Sequence, residues 1–221
     1  MNIKNNIQKI RQNLPAGCEL VAVSKTKSAT LIQEAYDGGQ RHFGENKVQE
    51  LVPKYEALPK DIQWHMIGHL QSNKVKYIVP FVHLIHGIDS ERLLAEVDKQ
   101  AAKVKRTVSC LLQVHIATEE SKFGFSIEEL NSFIKSEQLA SFRNVRVAGL
   151  MGMASLTEDT AQVSNEFETL HRTFDKLRGQ SLPSNTAMEI LSMGMSGDYS
   201  LAVAAGSTMV RVGSAIFGDR S

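Results

Sequence analysis

Eight short apolar runs, rich in β-branched residues, recur along the chain, and the longer segments between them carry apolar residues at helical spacing. That alternation is the mark of repeated βα units around a parallel sheet. The runs are Glu19–Ser24, Arg41–Gly44, Gln63–Gly68, Leu84–Ile88, Val108–Ile116, Val145–Met151, Glu189–Ser192 and Met209–Val212. Several show no polar alternation, as expected of strands covered on both faces. Between them Leu31, Ala35 and Tyr36, then Leu93, Leu94, Val97 and Ala101, then Phe167, Leu170, Phe174 and Leu177 fall on single helical faces. Gly38-Gly39 and Gly179 stand where helix C-caps are wanted. Sharing 221 residues among eight strands gives about 28 each, close to the roughly 31 of an eight-unit barrel of about 250 residues. The expected fold is a single (β/α)8 TIM barrel over residues 1–221, with a doubly wound open sheet as the alternative. An extra helix precedes the first strand: Ile3, Ile7, Ile10 and Leu14 line one face before Pro15 and Gly17 end it.

Composition narrows the function classes. With 42% apolar and 22% charged residues, the chain is long enough to bury a core without disulfides or metal. Its 25 basic and 24 acidic side chains leave a formal charge of +1, too small a field to gather nucleic acid or anionic lipid. The longest apolar stretch, Tyr77 to Ile88, is broken by Pro80, His83 and His86, so no membrane span is expected. The N-terminus lacks the apolar core of a secretory signal. Cys18 and Cys110 sit in apolar runs without CxxC spacing and read as buried, reduced packing residues. A cytoplasmic monomer is the expectation.

In a barrel, functional groups belong at the C-terminal ends of the strands. Lys25 directly follows Leu20-Val-Ala-Val-Ser24, which sets a primary amine at the barrel mouth, where desolvation frees its lone pair to attack a carbonyl. A solvated loop lysine, with Lys27 nearby, is the other reading. Two Gly/Ser-rich segments, Leu191–Asp198 and Val210–Gly218, follow or contain the last two runs, where barrels often hold phosphate; Ser196 and Ser214 could donate hydroxyls there, or simply cap helices. Arg211 lies inside an apolar run and needs an acceptor, either a carboxylate of the barrel wall or the aromatic nitrogen of a bound ring. Asn46, closing Phe43-Gly-Glu-Asn46, is either a helix cap or a ring contact. His65 and His69 have a suggestive spacing, but their strand context and the absence of HExxH argue against a metal, and none is expected. Glu119, Glu120 and Lys122 read as a solvated loop, although Lys122 could also face the mouth. Met151-Gly-Met153 reads as packing.

Taken in order, Ala22-Val-Ser-Lys25, Phe43-Gly-Glu-Asn46 with Val48-Gln-Glu50, Trp64-His-Met-Ile-Gly-His-Leu-Gln-Ser-Asn-Lys74, Glu119-Glu-Ser-Lys-Phe-Gly124, Met151-Gly-Met-Ala154, Leu191-Ser-Met-Gly-Met-Ser196 and Gly206-Ser-Thr-Met-Val-Arg-Val-Gly-Ser-Ala-Ile-Phe-Gly218 resemble the pyridoxal-phosphate homeostasis protein family. The resemblance covers nearly the whole chain. It implies a barrel like the N-terminal domain of alanine racemase, carrying pyridoxal 5'-phosphate (PLP) at the strand C-termini. By matching position, Lys25 would hold PLP as a Schiff base, Asn46 would lie beside the ring and Arg211 would face the pyridine nitrogen. Ser196, Gly213 and Ser214 would hold the phosphate. Lys47, His115 and Ser214 stand where the family often has tyrosine, asparagine and threonine; the last exchange keeps the hydroxyl.

Two functions from different classes follow. A PLP enzyme needs an electron sink and placed acid and base groups. Arginine is permanently charged and cannot accept a proton, so facing the ring nitrogen it disfavours the protonated pyridinium that best absorbs a carbanion's electrons. Alanine racemase shares that arginine and compensates with a tyrosine base from a second domain, for which a barrel spanning 221 residues leaves no length. The expectation is therefore a carrier or regulator of PLP without catalytic turnover, serving apo PLP-dependent enzymes and amino-acid pools. An amino-acid racemase is the alternative. A Schiff-base aldolase acting through Lys25 would leave Arg211 without a purpose.

Overall fold

The computed structural model describes residues 2–118 and 123–218. Its elements run α1 (Ile3–Gln12), β1 (Glu19–Val23), α2 (Ala29–Asp37), β2 (His42–Glu45), α3 (Val48–Ala57), β3 (Gln63–Met66), a 3₁₀ turn (Ser72–Lys74), α4 (Val75–Ile78), β4 (Leu84–Ile88), α5 (Glu91–Lys103) and β5 (Val108–Val114). The order continues with α6 (Ile127–Ile134), α7 (Glu137–Ser141), β6 (Val145–Gly152), α8 (Thr160–Arg178), β7 (Thr186–Ser192), α9 (Tyr199–Ala204), β8 (Met209–Val212) and α10 (Ser214–Phe217). The strands close in sequence order, and β8 pairs in parallel with β1 through Val21 opposite Arg211, so the architecture is the closed barrel expected rather than an open sheet.

Each expected strand is present, with shifted ends. β7 begins at Thr186 rather than Glu189, because Thr186 pairs with Val147 of β6 across a polar segment that reads as a turn. β5 stops at Val114, where Phe125 turns back to donate to Gln113 and accept from His115. Gly149 sits at the irregularity between β6 and β7 with φ +152°, and a Cβ there would lie 1.9 Å from the Ile190 carbonyl oxygen. Only glycine passes that close to the next strand.

The core has two shells. Phe43, Trp64, Phe167 and their neighbours fill the space between barrel and helices, while Val21, Leu84, Leu111, Ala148, Met151 and Met209 form a separate cluster. Alternation along each strand sends one set outward and the other into the barrel. Helix α1 lays Ile3, Ile7 and Ile10 against α2 and α10, and the Asn6 side chain donates to the Ile216 carbonyl at 3.0 Å. Cys18 is half-buried and Cys110 buried, both free thiols. Among the described residues no helix is long and apolar enough to cross a membrane.

Candidate functional site

At the C-terminal mouth of the barrel lies a cavity of about 790 Å³. Lys25, Asn46, Ser196, Arg211, Gly213 and Ser214 all line it, although they come from four different strand ends. Apolar rim residues include Phe123, Met153 and Met195. Glu119, Glu120 and Lys122 lie outside the described residues.

Lys25 stands two residues beyond β1, half-buried, between two anchored neighbours. Before it, the Ser24 hydroxyl donates to Glu45 Oε1 at 2.6 Å. After it, Thr26 adopts φ +64° and its N–H donates to Glu50 Oε2 at 2.7 Å. Lys54 of α3 ties the two together, donating to Glu45 Oε1 at 2.8 Å and to the Ser24 carbonyl at 2.9 Å, and pairing with Glu50 at 3.5 Å. Burial raises the Glu45 pKa while Lys54 and Ser24 pull it back. A left-handed threonine is costly, and persists only where surrounding bonds hold it. The network fixes the backbone on either side of Lys25.

Arg211 is 3% exposed at the end of β8. Its guanidinium donates to Ser192 Oγ at 2.7 Å and to the Gly152 carbonyl at 3.1 Å. No carboxylate lies within ion-pairing distance of it among the described residues, so of the two acceptors weighed from sequence, the wall carboxylate is not the one present. Burial lowers its pKa to about 10, with Asp198 opposing, which leaves it charged at neutral pH. Ser192 also meets His86 Nδ1 at 3.0 Å, and His86 Nε2 meets His65 Nδ1 at 2.8 Å. Burial holds both histidines well below the usual imidazole range, so they stay neutral beside the cation.

The two Gly/Ser segments meet: the Gly213 N–H donates to Ser196 Oγ at 3.0 Å. Gly213 is the N-cap of α10 and Ser214 its first residue; the Ile216 N–H returns to the Gly213 carbonyl, and the Ser214 and Ala215 N–H groups lack intrahelical partners. Asn46 is not the cap of α3, a position Lys47 takes, and its amide makes no hydrogen bond among the described residues. Gly68 lets the chain after β3 cross it closely, since a Cβ there would lie 2.6 Å from the Asn46 carbonyl oxygen.

His65 and His69 do not converge. His65 is fully buried inside the barrel, while His69 lines the mouth, bonded to Asp89 at 2.9 Å and stacked on Phe123. Sequence reasoning passed over Ser192, His86 and the Glu45–Lys54 pair. Ser192 and Glu45 sat unassigned inside quoted motifs, and a histidine two residues from Leu84 in an all-buried strand was the available signal for His86.

As a chemical unit, the mouth offers an amine, a buried cation without an ion-paired carboxylate among the described residues, an amide and a cluster of hydroxyl and N–H donors. The family described as "Alanine racemase, N-terminal domain" matches residues 1–221. The pyridoxal phosphate homeostasis protein of Aquifex aeolicus is 36% identical over 231 residues, spanning 100% of this chain and 99% of that one. Its counterpart in Synechocystis is 40% identical over 209 residues, 94% of each. The structure of PipY from Synechococcus elongatus with PLP bound superposes with a TM-score of 0.87 at 36% identity, covering 98% of this chain and 100% of that one. Alanine racemase from Bartonella henselae shares the fold, with a TM-score of 0.74 at 18% identity; the match covers 99% of this chain and 58% of the racemase.

Proposed function

Because the chain belongs to the alanine racemase N-terminal-domain family, and within it to the pyridoxal phosphate homeostasis proteins, we propose that it holds PLP at the barrel mouth and serves intracellular PLP homeostasis as a carrier or regulator. The observation that carries this reading is Arg211: a buried, charged guanidinium opening on a 790 Å³ cavity, with no carboxylate within ion-pairing distance among the described residues. A pyridine nitrogen is a fitting acceptor. Pockets of some 300 to 1,000 Å³ are the usual size for such ligands.

When bound, PLP supplies an aldehyde that condenses reversibly with amines and a ring that withdraws electrons. Lys25 would provide the amine, its backbone fixed by Ser24 and Thr26. Arg211 would donate to the ring nitrogen while Ser192 and the Gly152 carbonyl keep its plane in place. Asn46 would contact the ring edge through its unengaged amide. Ser196, Gly213 and Ser214 would hold the phosphate, using hydroxyls and first-turn N–H groups.

A carrier is favoured over a racemase by what surrounds the cavity. Among the described residues no tyrosine lines it, and its ionisable groups besides Lys25 and Arg211 are Lys27, which donates to the Gly218 carbonyl, and His69, held by Asp89. Arg211, donating to the ring nitrogen, would keep a proton off it. An open mouth and a reversible linkage suit hand-over to apo-enzymes.

The test is reduction of the PLP-loaded protein with borohydride, followed by peptide mapping. One pyridoxyl group on Lys25 is expected. A major adduct on Lys27, Lys47 or Lys122 overturns the assignment of Lys25, and absence of any imine absorbance overturns the PLP reading.

A further inference from the structure

At the opposite end of the barrel, three histidines come together from neighbouring strands. His42 opens β2, His65 lies in β3 and His83 immediately precedes β4. One imidazole nitrogen from each lies within 4.8 Å of the other two, and among the described residues no other three His, Cys, Asp or Glu side chains converge this way. The ring centres stand 5.2, 5.3 and 5.7 Å apart. Three imidazoles on a tetrahedral ion, each nitrogen about 2.05 Å from it, have ring centres roughly 5.2 Å apart. We propose that His42, His65 and His83 form a transition-metal site of the zinc class on the floor of the barrel.

The His42 and His65 nitrogens need little movement, and His83, whose nitrogen lies within 4.8 Å of both, would swing in to close the site. His42 Nδ1 and His65 Nε2 share a hydrogen bond at 2.9 Å. An ion replacing the shared proton would want them about 3.4 Å apart, a separation of roughly half an ångström more. Their outer nitrogens already have partners of the kind that orient metal-bound imidazoles. His42 Nε2 faces Glu19 Oε2 at 3.7 Å, and His65 Nδ1 bonds to His86 Nε2 at 2.8 Å. A hydrogen bond from His65 Nδ1–H to His86 Nε2 would leave the inner His65 lone pair for the ion, while Glu19, beyond hydrogen-bonding distance of His42, adds negative charge that favours a cation.

The surrounding charges are mixed. Glu19 favours a cation near His42 and His83, while Arg11 opposes it at His42 and Arg106 at His83. Burial keeps all three imidazoles below their usual range, helped by neighbouring imidazoles at His65 and His83 and by Arg11 at His42, so they present lone pairs at neutral pH. His83 is exposed, which gives an ion a way in and leaves room for water as a fourth ligand. Three imidazoles suit zinc, cobalt, nickel or copper, not magnesium or calcium. The spacing of His65 and His69 was a poor guide because a metal site needs strand neighbours, and those are set by barrel closure.

The inference does not depend on the PLP reading, and one experiment separates them. Untagged, PLP-loaded protein is dialysed against micromolar Zn²⁺ and its metal and pyridoxal contents are measured. One ion per chain is expected. His83→Ala and His42→Ala should each weaken retention by at least about tenfold, and Glu19→Gln by about tenfold, with PLP content unchanged. With Co²⁺ in place of Zn²⁺, the wild type should show the visible absorbance of a low-coordinate nitrogen site, and His83→Ala should not. Retention unaffected by His83→Ala and His42→Ala overturns the proposal. So does retention lost in Lys25→Ala, which would assign the ion to the bound cofactor, or in His69→Ala, which would assign it to the mouth.

Discussion

Lys25 owes its position to its neighbours. The Ser24–Glu45–Lys54 network and the left-handed Thr26 hold the backbone on either side of it, so the side chain can be removed without releasing either anchor. Lys25→Ala should therefore abolish borohydride-trappable PLP while moving the thermal midpoint little, as checked by absorbance and calorimetry. Loss of folding in that variant would mean the lysine is structural. Cys18 gives a second prediction. Burial, reinforced by the Glu19 carboxylate, pushes its thiol up to about 11. At pH 8 about one such thiol in a thousand is ionised, against roughly a quarter of ordinary ones, so maleimide should label Cys18 some two orders of magnitude more slowly than a model thiol. Labelling should speed up tenfold per pH unit up to about pH 11. Cys110, fully buried with its pKa raised further, should react only after unfolding.

Between elements, the β7–α9 and β8–α10 connections matter most, and they meet through the bond from Gly213 N–H to Ser196 Oγ. A hydroxyl bonded to a charged oxygen is worth roughly 1.5 to 3 kcal/mol, so Ser196→Ala should weaken PLP retention about ten- to hundredfold in equilibrium dialysis. Pyridoxal without its phosphate should bind much less tightly; equal retention of the two would place the phosphate elsewhere. The β6–β7 pair has its own weak point. Gly149→Ala adds a Cβ 1.9 Å from the Ile190 oxygen at a φ that L-residues avoid, and should cost roughly 2 to 5 kcal/mol in urea denaturation. A loss below about 1 kcal/mol would show that the bulge can relax.

For the whole molecule, the carrier reading predicts inertness: holo-protein incubated with L-amino acids in deuterated water should exchange their α-protons no faster than free PLP does. Among the described residues no tyrosine lines the cavity to serve as a base. Exchange that is fast and lost in His69→Asn would identify the His69–Asp89 pair as that base and make the protein an enzyme. Light scattering should give the monomer mass of 24.5 kDa. Much of this architecture was legible in the chain alone. Strand and helix periods are local, so the eight runs and the α1 stripe of Ile3, Ile7 and Ile10 could be read directly, and the strand-end rule put Lys25, Arg211 and Ser196 at one mouth. The start of β7 was not legible, because Thr186 joins the sheet through its partner Val147 and not through its own pattern. Nor was the polar interior running from His42 through His65, His86 and Ser192 to Arg211. Those residues come from five strands spread over 170 positions, His42 to Arg211 inclusive. The local pattern of the chain determined which segments became strands; only closure of the barrel, which sets the stagger between strands, decided which inward side chains touch.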